Sequence, residues 1–238
     1  MHKTGMVVSD LHMFAKRSRA PMVMDELGPA LEGCEMLVLN GDIFDFKWTT
    51  LESIPHTIDQ ALAWLEGLVK GFPGCRIYFI LGNHDCHREF TVVLEDLSQK
   101  ISSFSWHERY LRLGTAAFLH GDCIHKKVFE KGLASYRKPW KEIKKKGQAQ
   151  NAIYEAINHT GLTKAAPKIA FKREKMAGRI LDYLDDREPG IVEKINDVYV
   201  GHTHVPFTDF SFRGKVFHNT GSAIKNQDFN PLHFRAAC

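Results

Sequence analysis

Five short polar clusters carry the chemistry of this chain, and each directly follows an apolar run. They are Ser9-Asp10-Leu11-His12, Gly41-Asp42-Ile43-Phe44-Asp45, Gly82-Asn83-His84-Asp85, His120-Gly121-Asp122 and Gly201-His202-Thr203-His204. Their side chains are carboxylates, imidazoles and one amide, a donor set that divalent transition-metal ions accept. Asp10 and His12 stand two residues apart, so on an extended segment both project to one face and one ion can take both. A carboxylate has two oxygens, so Asp42 can bridge two ions, and Gly41 lets the backbone turn close beside them. Asn83 offers a neutral carbonyl oxygen. His120 and His202 complete a second ion, and His204, two residues on, returns to the first. Each cluster alone has a plainer reading. Gly-Asp and Gly-Asn are turn pairs, and a single histidine is more often a satisfied core residue than a ligand. All five together, in this order, point to a site for two ions. The donors suit Mn, Fe, Zn or Co better than Ca, with Mn the leading expectation.

Short strands must hold these clusters. Val7-Val8 and residues 36–39, 77–81, 116–119 and 198–200 read as short buried strands, which puts each cluster at a strand's carboxyl end, where open α/β sheets collect ligands. Helical spacing recurs in residues 21–32 (Met22, Leu27, Leu31), in 55–69 (Ile58, Leu62, Leu65, Val69) and in 90–97. Phe72-Pro73-Gly74 stops the second of these. The alternation of strand and helix predicts parallel strands. Two shorter strands follow at 103–107 and 110–113. Residues 126 to about 185 read as helical, divided by Pro139, Gly147, Gly161 and Pro167. The last piece, from Lys168, carries Ile169, Lys172, Met176, Ile180 and Leu184 on one stripe, with Ala170, Ala177 and Leu181 alongside. Residues 207–212 alternate Phe with polar residues, and Arg213-Gly214-Lys215 turns the chain into a hairpin. The expected organisation is one domain over residues 1–238, two packed sheets with helices outside, and a helical insertion or lid at about 126–185.

Composition excludes several classes. No apolar run approaches a membrane span, and the first strand begins too early to leave room for a signal peptide. Five scattered cysteines without a C-x-x-C pair argue against a disulfide framework and for a reducing, cytoplasmic setting; Cys86 and Cys123, although close to the clusters, read as packing residues. The net charge of +4 is unevenly spread. Residues 125–175 hold 14 Lys plus Arg against 4 Glu, a balance of +10, so the remainder carries −6. An acidic body with a basic insertion implies an anionic partner.

The ordered pattern D-x-H, G-D-x-x-D, G-N-H-[DE], H, G-H-x-H is matched in full from Asp10 to His204. In this the chain resembles the calcineurin-like metallophosphoesterases. The resemblance implies a four-layer α/β/β/α sandwich of two mixed sheets around a dinuclear centre. Carried over by position, Asp10, His12, Asp42 and His204 hold one ion, and Asp42, Asn83, His120 and His202 the other. Asn219-Thr220-Gly221-Ser222 resembles the small N-x-G-S loop that often follows the last histidine pair. Two ions about 3.5–4 Å apart share a water and lower its pKa toward neutrality, giving a hydroxide for in-line attack on phosphorus. His84, next to the ligand Asn83, is expected to face substrate, stabilise the transition state and protonate the leaving oxygen. Asp85 is expected to orient that imidazole, and Asp45 to support a ligand histidine.

Protein serine/threonine phosphatases of this superfamily place Arg-Gly after G-D-x-x-D, where this chain has Phe46-Lys47. The chain length, Gly201-His202-Thr203-His204-Val205-Pro206 and the insertion after Asp122 look closer to the UDP-2,3-diacylglucosamine hydrolase branch, in which a helical lid covers the substrate and a pyrophosphate is cleaved. That branch typically has Arg where His84 stands. The expected activity is therefore hydrolysis of a phosphomonoester or phosphodiester. UDP-2,3-diacylglucosamine-type pyrophosphate hydrolysis is the alternative, and a non-catalytic interaction scaffold on the same fold is the alternative of another class. The complete ligand set argues against the scaffold. Lys141, Lys144, Lys145 and Lys146, with Trp140 and Ile143, could meet an anionic substrate or a membrane surface; Lys141 and Lys145 are the candidate substrate contacts. A solvated lysine-rich face is the plainer reading, and aromatics are too sparse there for a base-stacking groove. Oligomeric state has no signature in the sequence.

Overall fold

Apolar runs without polar alternation bury both faces, which in a sheet requires cover on each side. The computed structural model describes residues 2–147, 149–151 and 172–237, and these runs become the central strands of two five-stranded sheets. The first sheet has the order β10 (Leu232–Ala237), β1 (His2–Val8), β2 (Met36–Asn40), β3 (Arg76–Ile80), β4 (Phe104–His107). β1 to β4 are parallel, and β10 joins the β1 edge antiparallel. The second sheet has the order β5 (Tyr110–Leu113), β6 (Ala116–Leu119), β7 (Asp197–Val200), β9 (Lys215–Asn219), β8 (Phe207–Phe212). Its inner strands β6, β7 and β9 run parallel, and the edges β5 and β8 antiparallel.

The sheets face each other across Val7, Val38, Ile80, Phe118, Tyr199 and Phe234. Outside the first sheet pack α1 (Ala20–Leu31), α2 (Ile54–Gly71) and α3 (Arg88–Lys100), through Leu27, Leu31, Ile58, Leu65, Phe90 and Leu94. Outside the second pack α4 (Lys126–Lys141) and α5 (Arg173–Arg187), followed by the short α6 (Ile191–Lys194). The result is the expected α/β/β/α order of layers.

Two features differ from the sequence reading. β10 was not anticipated, although Leu232-His233-Phe234-Arg235-Ala236 alternates apolar with polar residues; it pairs with β1, and Phe234 lies over Gly5, where any Cβ would come within 2.3 Å of its ring. In the basic segment the break falls at Gly132 (φ 80°, ψ 159°), not at Pro139, which lies within α4. Glycine reaches positive φ without a Cβ penalty, whereas the fixed φ of proline is compatible with helical backbone. Gly161, Pro167, Lys168, Ile169 and Ala170 lie outside the described residues; Met176, Ala177, Ile180, Leu181 and Leu184 form the buried face of α5 as their spacing predicts.

A single arginine ties α4 to both sheets. The Arg137 guanidinium, 1% exposed, donates to both carboxylate oxygens of Asp122 at 2.7 and 2.8 Å, to the Leu81 carbonyl at 2.8 Å and to the Glu108 carbonyl at 2.6 Å. Leu81 follows β3, Asp122 follows β6 and Glu108 lies between β4 and β5. A buried ion pair adds little net stability, but removing one partner strands the other. Arg137→Met is therefore expected to cost about 3–5 kcal/mol, read as a lower urea midpoint for unfolding.

Candidate metal centre

The parallel strands of both sheets direct their carboxyl ends to one place. Asp10 and His12 follow β1, Asp42 follows β2, and Asn83 and His84 follow β3; His120 follows β6, and His202 and His204 follow β7. Five of these residues leave their strands in the left-handed region: Asp10 (φ 52°), His12 (48°), Asp42 (51°), His202 (64°) and His204 (55°). That conformation costs a non-glycine residue roughly 1–2 kcal/mol, and its concentration at one locus is characteristic of functional sites. The cluster glycines are equally constrained. A Cβ on Gly41 (φ +83°) would lie 2.6 Å from the His120 ring, and one on Gly82 would lie 2.1 Å from Asp42 Oδ1.

The side chains converge as two groups joined by one carboxylate. In the first, His204 Nε2 lies 3.1 Å from Asp10 Oδ1 and 3.2 Å from His12 Nε2. In the second, His120 Nε2 lies 3.3 Å from Asp42 Oδ2 and 3.2 Å from His202 Nδ1. Asp42 Oδ2 is also 3.8 Å from His12 Nε2, which places it between the groups. Around them, the Ser9 hydroxyl donates to Asp10 Oδ2 at 2.6 Å, and the His202 backbone N–H donates to the same oxygen at 3.0 Å. The Asn219-Thr220-Gly221-Ser222 loop braces this side: Asn219 Nδ2 donates to the Gly201 carbonyl at 2.9 Å, and the Ser222 hydroxyl to the Asp10 carbonyl at 2.9 Å.

His84 sits beside the first group, its ring edge-on to His12 at 4.8 Å, and is 14% exposed, so solvent reaches it. Its orienting carboxylate is not Asp85. Asp45 Oδ1 lies 3.0 Å from His84 Nδ1, while Asp45 Oδ2 lies 3.3 Å from His12 Nδ1. Asp85 is instead fully buried and accepts the backbone N–H groups of Gly82 at 2.7 Å and Ile43 at 2.8 Å. The reason is geometric. Asp85 lies at the turn after β3 and faces back into it, while Asp45, three residues beyond Asp42, faces the histidines. Asp85 thus joins the loops after β2 and β3, and Asp45 is the carboxylate that lies beside His84.

The two candidate lysines have protein partners. Lys141 Nζ pairs with Glu108 at 3.0 Å, and Lys145 Nζ donates to the carbonyls of Leu51 and of Glu52. Both amines are engaged by neighbouring protein groups. Four residues that the sequence reading did not place at the centre lie around it. Arg17 Nη2 lies 3.4 Å from Asp45 Oδ2. His125 Nε2 lies 2.7 Å from His202 Nε2, with its ring stacked on Tyr136. Trp140 packs on His84 at 4.6 Å, and Lys47 lies over Trp140. Lys47 follows the second cluster directly, whereas no spacing rule connects Arg17, His125 or Trp140 to the motifs; the fold brings those three in.

The electrostatics fit a cationic occupant. Asp10, Asp42 and Asp45 are all buried, which would raise their pKa values, yet nearby imidazoles hold all three below the usual carboxylate range. Burial opposes charge on His120, but Asp42 overrides it and pushes its pKa up to about 10. His12 is carried down to about 4 and His202 to about 3, chiefly by burial. Asp85 is pushed up to about 7 by burial and by the Asp42 charge. Asn83 Oδ1, a good ligand oxygen for a hard or borderline ion, is buried and has no hydrogen-bond partner among the described residues. Asp10, His12 and His204, and likewise Asp42, His120 and His202, each bring their ligand atoms within 4.8 Å of one another, as a metal ion needs; so do His12, Asp42 and His84.

The calcineurin-like phosphoesterase family model matches residues 6–206. The chain belongs to the calcineurin-like phosphoesterase family. It is a metal-dependent phosphoester hydrolase, and its aspartate and histidine groups are those of a dinuclear divalent-metal site. A search of the curated proteins found no match. Among solved structures, the chain is similar to a dimetal phosphatase from Danio rerio (11% identity, TM-score 0.48, 99% of each chain covered). It is also similar to a predicted phosphoesterase from Streptococcus pneumoniae (14%, 0.41, 98% of this chain and 84% of that one). A third likeness is to Vps29 complexed with zinc from Entamoeba histolytica (14%, 0.40, 95% and 81%). No helix of the described residues is long and apolar enough to cross a membrane.

Gly41→Ala tests how tightly the site is built. The added methyl forces His120 aside at a position that already requires positive φ. The variant is expected to bind about one ion per chain where the parent binds two, with a lower melting temperature, by elemental analysis and calorimetry.

Proposed function

We propose that this protein hydrolyses a phosphomonoester or phosphodiester at a centre of two divalent ions, with manganese the expected metal. Asp10, His12, Asp42 and His204 would hold one ion, and Asp42, Asn83, His120 and His202 the other. The single observation that carries this reading is the position of Asp42 Oδ2, 3.3 Å from His120 and 3.8 Å from His12, so that one carboxylate serves both groups. When bound, the ions supply Lewis-acid activation of water and neutralise the phosphoryl oxygens.

The protein's own residues do the rest. The left-handed backbone of Asp10, His12, Asp42, His202 and His204 fixes the ligand directions before anything binds. His84, reachable by solvent and flanked by Asp45 and Asp42, has its pKa raised despite burial. It can therefore carry a proton to the leaving oxygen, which is general acid catalysis. Asp45 engages Nδ1 of His84 and leaves Nε2 as the atom presented to substrate. His125 meets the outer nitrogen of His202 and so keeps Nδ1 turned to the centre. Four of the five cysteines are free and buried, which supports a reducing compartment such as the cytoplasm.

A second reading, a nucleoside pyrophosphate substrate of the UDP-2,3-diacylglucosamine type, is favoured by a cavity of ≈ 360 Å³ beside the His202–His204 turn. Lys172 and Arg173 line it together with Asp228 and with Met176, Val205, Pro206 and Phe207, so it offers two cations against one carboxylate and an apolar floor. One assay separates the readings. Manganese-loaded protein is given p-nitrophenyl phosphate, bis-p-nitrophenyl phosphate or a UDP-sugar, with Asp42→Asn alongside and metal content measured for both. Turnover of either aryl ester, lost with Asp42→Asn, is the expected result. Turnover of the UDP-sugar alone favours the second reading. Absence of bound metal and of all turnover would overturn both and leave the scaffold.

A further inference from the structure

Trp140 lies well outside the ligand motifs, near the end of α4, yet its ring sits 4.6 Å from the His84 ring at an angle of 46°. On the same indole, Lys47 Nζ stands 4.5 Å from the ring centroid. The segment that follows is laid along the loop after Asp45: the Lys146 N–H donates to the Lys47 carbonyl at 2.9 Å. Three residues earlier on the same helix, and so on nearly the same face, Arg137 is locked to Asp122 and to the Leu81 carbonyl, one residue before the Gly82-Asn83-His84 turn. The indole therefore has a fixed place relative to His84, set by a buried guanidinium that holds both elements at once.

We propose that Trp140 is a positioning residue for His84, the side wall that keeps the imidazole aimed at the leaving oxygen. The inference rests on the phosphoesterase reading and on the role it gives His84. Asp45 alone fixes one nitrogen of the ring at 3.0 Å and leaves the ring free to swing about that contact. His12 closes one side edge-on at 4.8 Å, and Trp140 closes another. Even with the indole in place His84 is 14% exposed, so removing Trp140 opens room for the ring to turn outward while it keeps Asp45. The cationic Lys47 on the indole holds it from the side of the Asp45 loop, as cation–π contacts do. The insertion thus contributes to the chemistry through this aromatic residue.

The test uses the dependence on leaving group. p-Nitrophenolate departs as a stable anion with little need of a proton, whereas phenolate needs the acid. A general acid is worth about 10²–10⁴-fold, so Trp140→Ala is expected to lower kcat on phenyl phosphate at least about tenfold more than on p-nitrophenyl phosphate, with KM little changed. Trp140→Phe should restore most of the difference. His84→Asn should show the same selectivity, and adding Trp140→Ala to it should change the selectivity no further. Because the readout is a ratio on one preparation with its metal content checked, loss of folded protein cancels. An equal loss on both esters, or no loss on either, overturns the inference while the hydrolase reading stands. If the unmodified protein turns over only diesters, the same ratio is read on the phenyl and p-nitrophenyl diesters; no turnover of any of these esters would end both.

Discussion

Three carboxylates sealed from water set the terms for the rest of this molecule. Asp10, Asp42 and Asp45 are each essentially unexposed, and a buried carboxylate must be matched by positive charge or strong donors. The surrounding architecture supplies both. Backbone N–H groups of His84 and His202 reach Asp42 and Asp10, the Ser9 hydroxyl reaches Asp10, and Arg17 reaches Asp45. The remaining demand falls on imidazoles and on divalent ions. The two sheets share the donors between them, the first carrying Asp10, His12, Asp42 and Asn83 and the second His120, His202 and His204.

The backbone bears a cost for that meeting. Five donor residues hold positive φ, and Gly41, Gly82 and Gly201 are confined to hydrogen as a side chain by His120, Asp42 and Asp10. Strain of this kind persists only when the surroundings over-determine it. Here they do so through short strands buried on both faces, through the Asp85 carboxyl joining two ligand loops, and through the Asn219–Ser222 loop beneath Asp10. The consequence is a site whose directions are fixed in advance, so little reorganisation is needed when a phosphoryl group arrives.

Most of the fold could be read in advance because its signals are local. Residues 55–69 repeat at the helical period, and Ile54–Gly71 is a helix; residues 77–81 are apolar throughout, and Arg76–Ile80 is a central strand. β10 escaped because an edge strand buries only one face and its alternation is short. The break in α4 fell at Gly132 and not at Pro139 because both residues punctuate helices, and only packing selects which one does so. Charge counted along the chain offers Lys141 and Lys145 as candidates for an anion, but it does not reveal that Glu108 and two carbonyls are their partners in the fold.

By itself the sequence determined the donor inventory, its order and its place at the strand ends, since ligand type and i, i+2 spacing are properties of the chain. It also determined the family, through motifs that span Asp10 to His204. Only the tertiary structure decided which carboxylate serves His84. Asp85 is adjacent and turns away, while Asp45, far off in sequence, lies 3.0 Å away. It alone also brought Arg17, His125 and Trp140 to the centre. Long-range neighbours are set by how sheets and helices pack, and packing leaves no short-range trace in the residues it brings together.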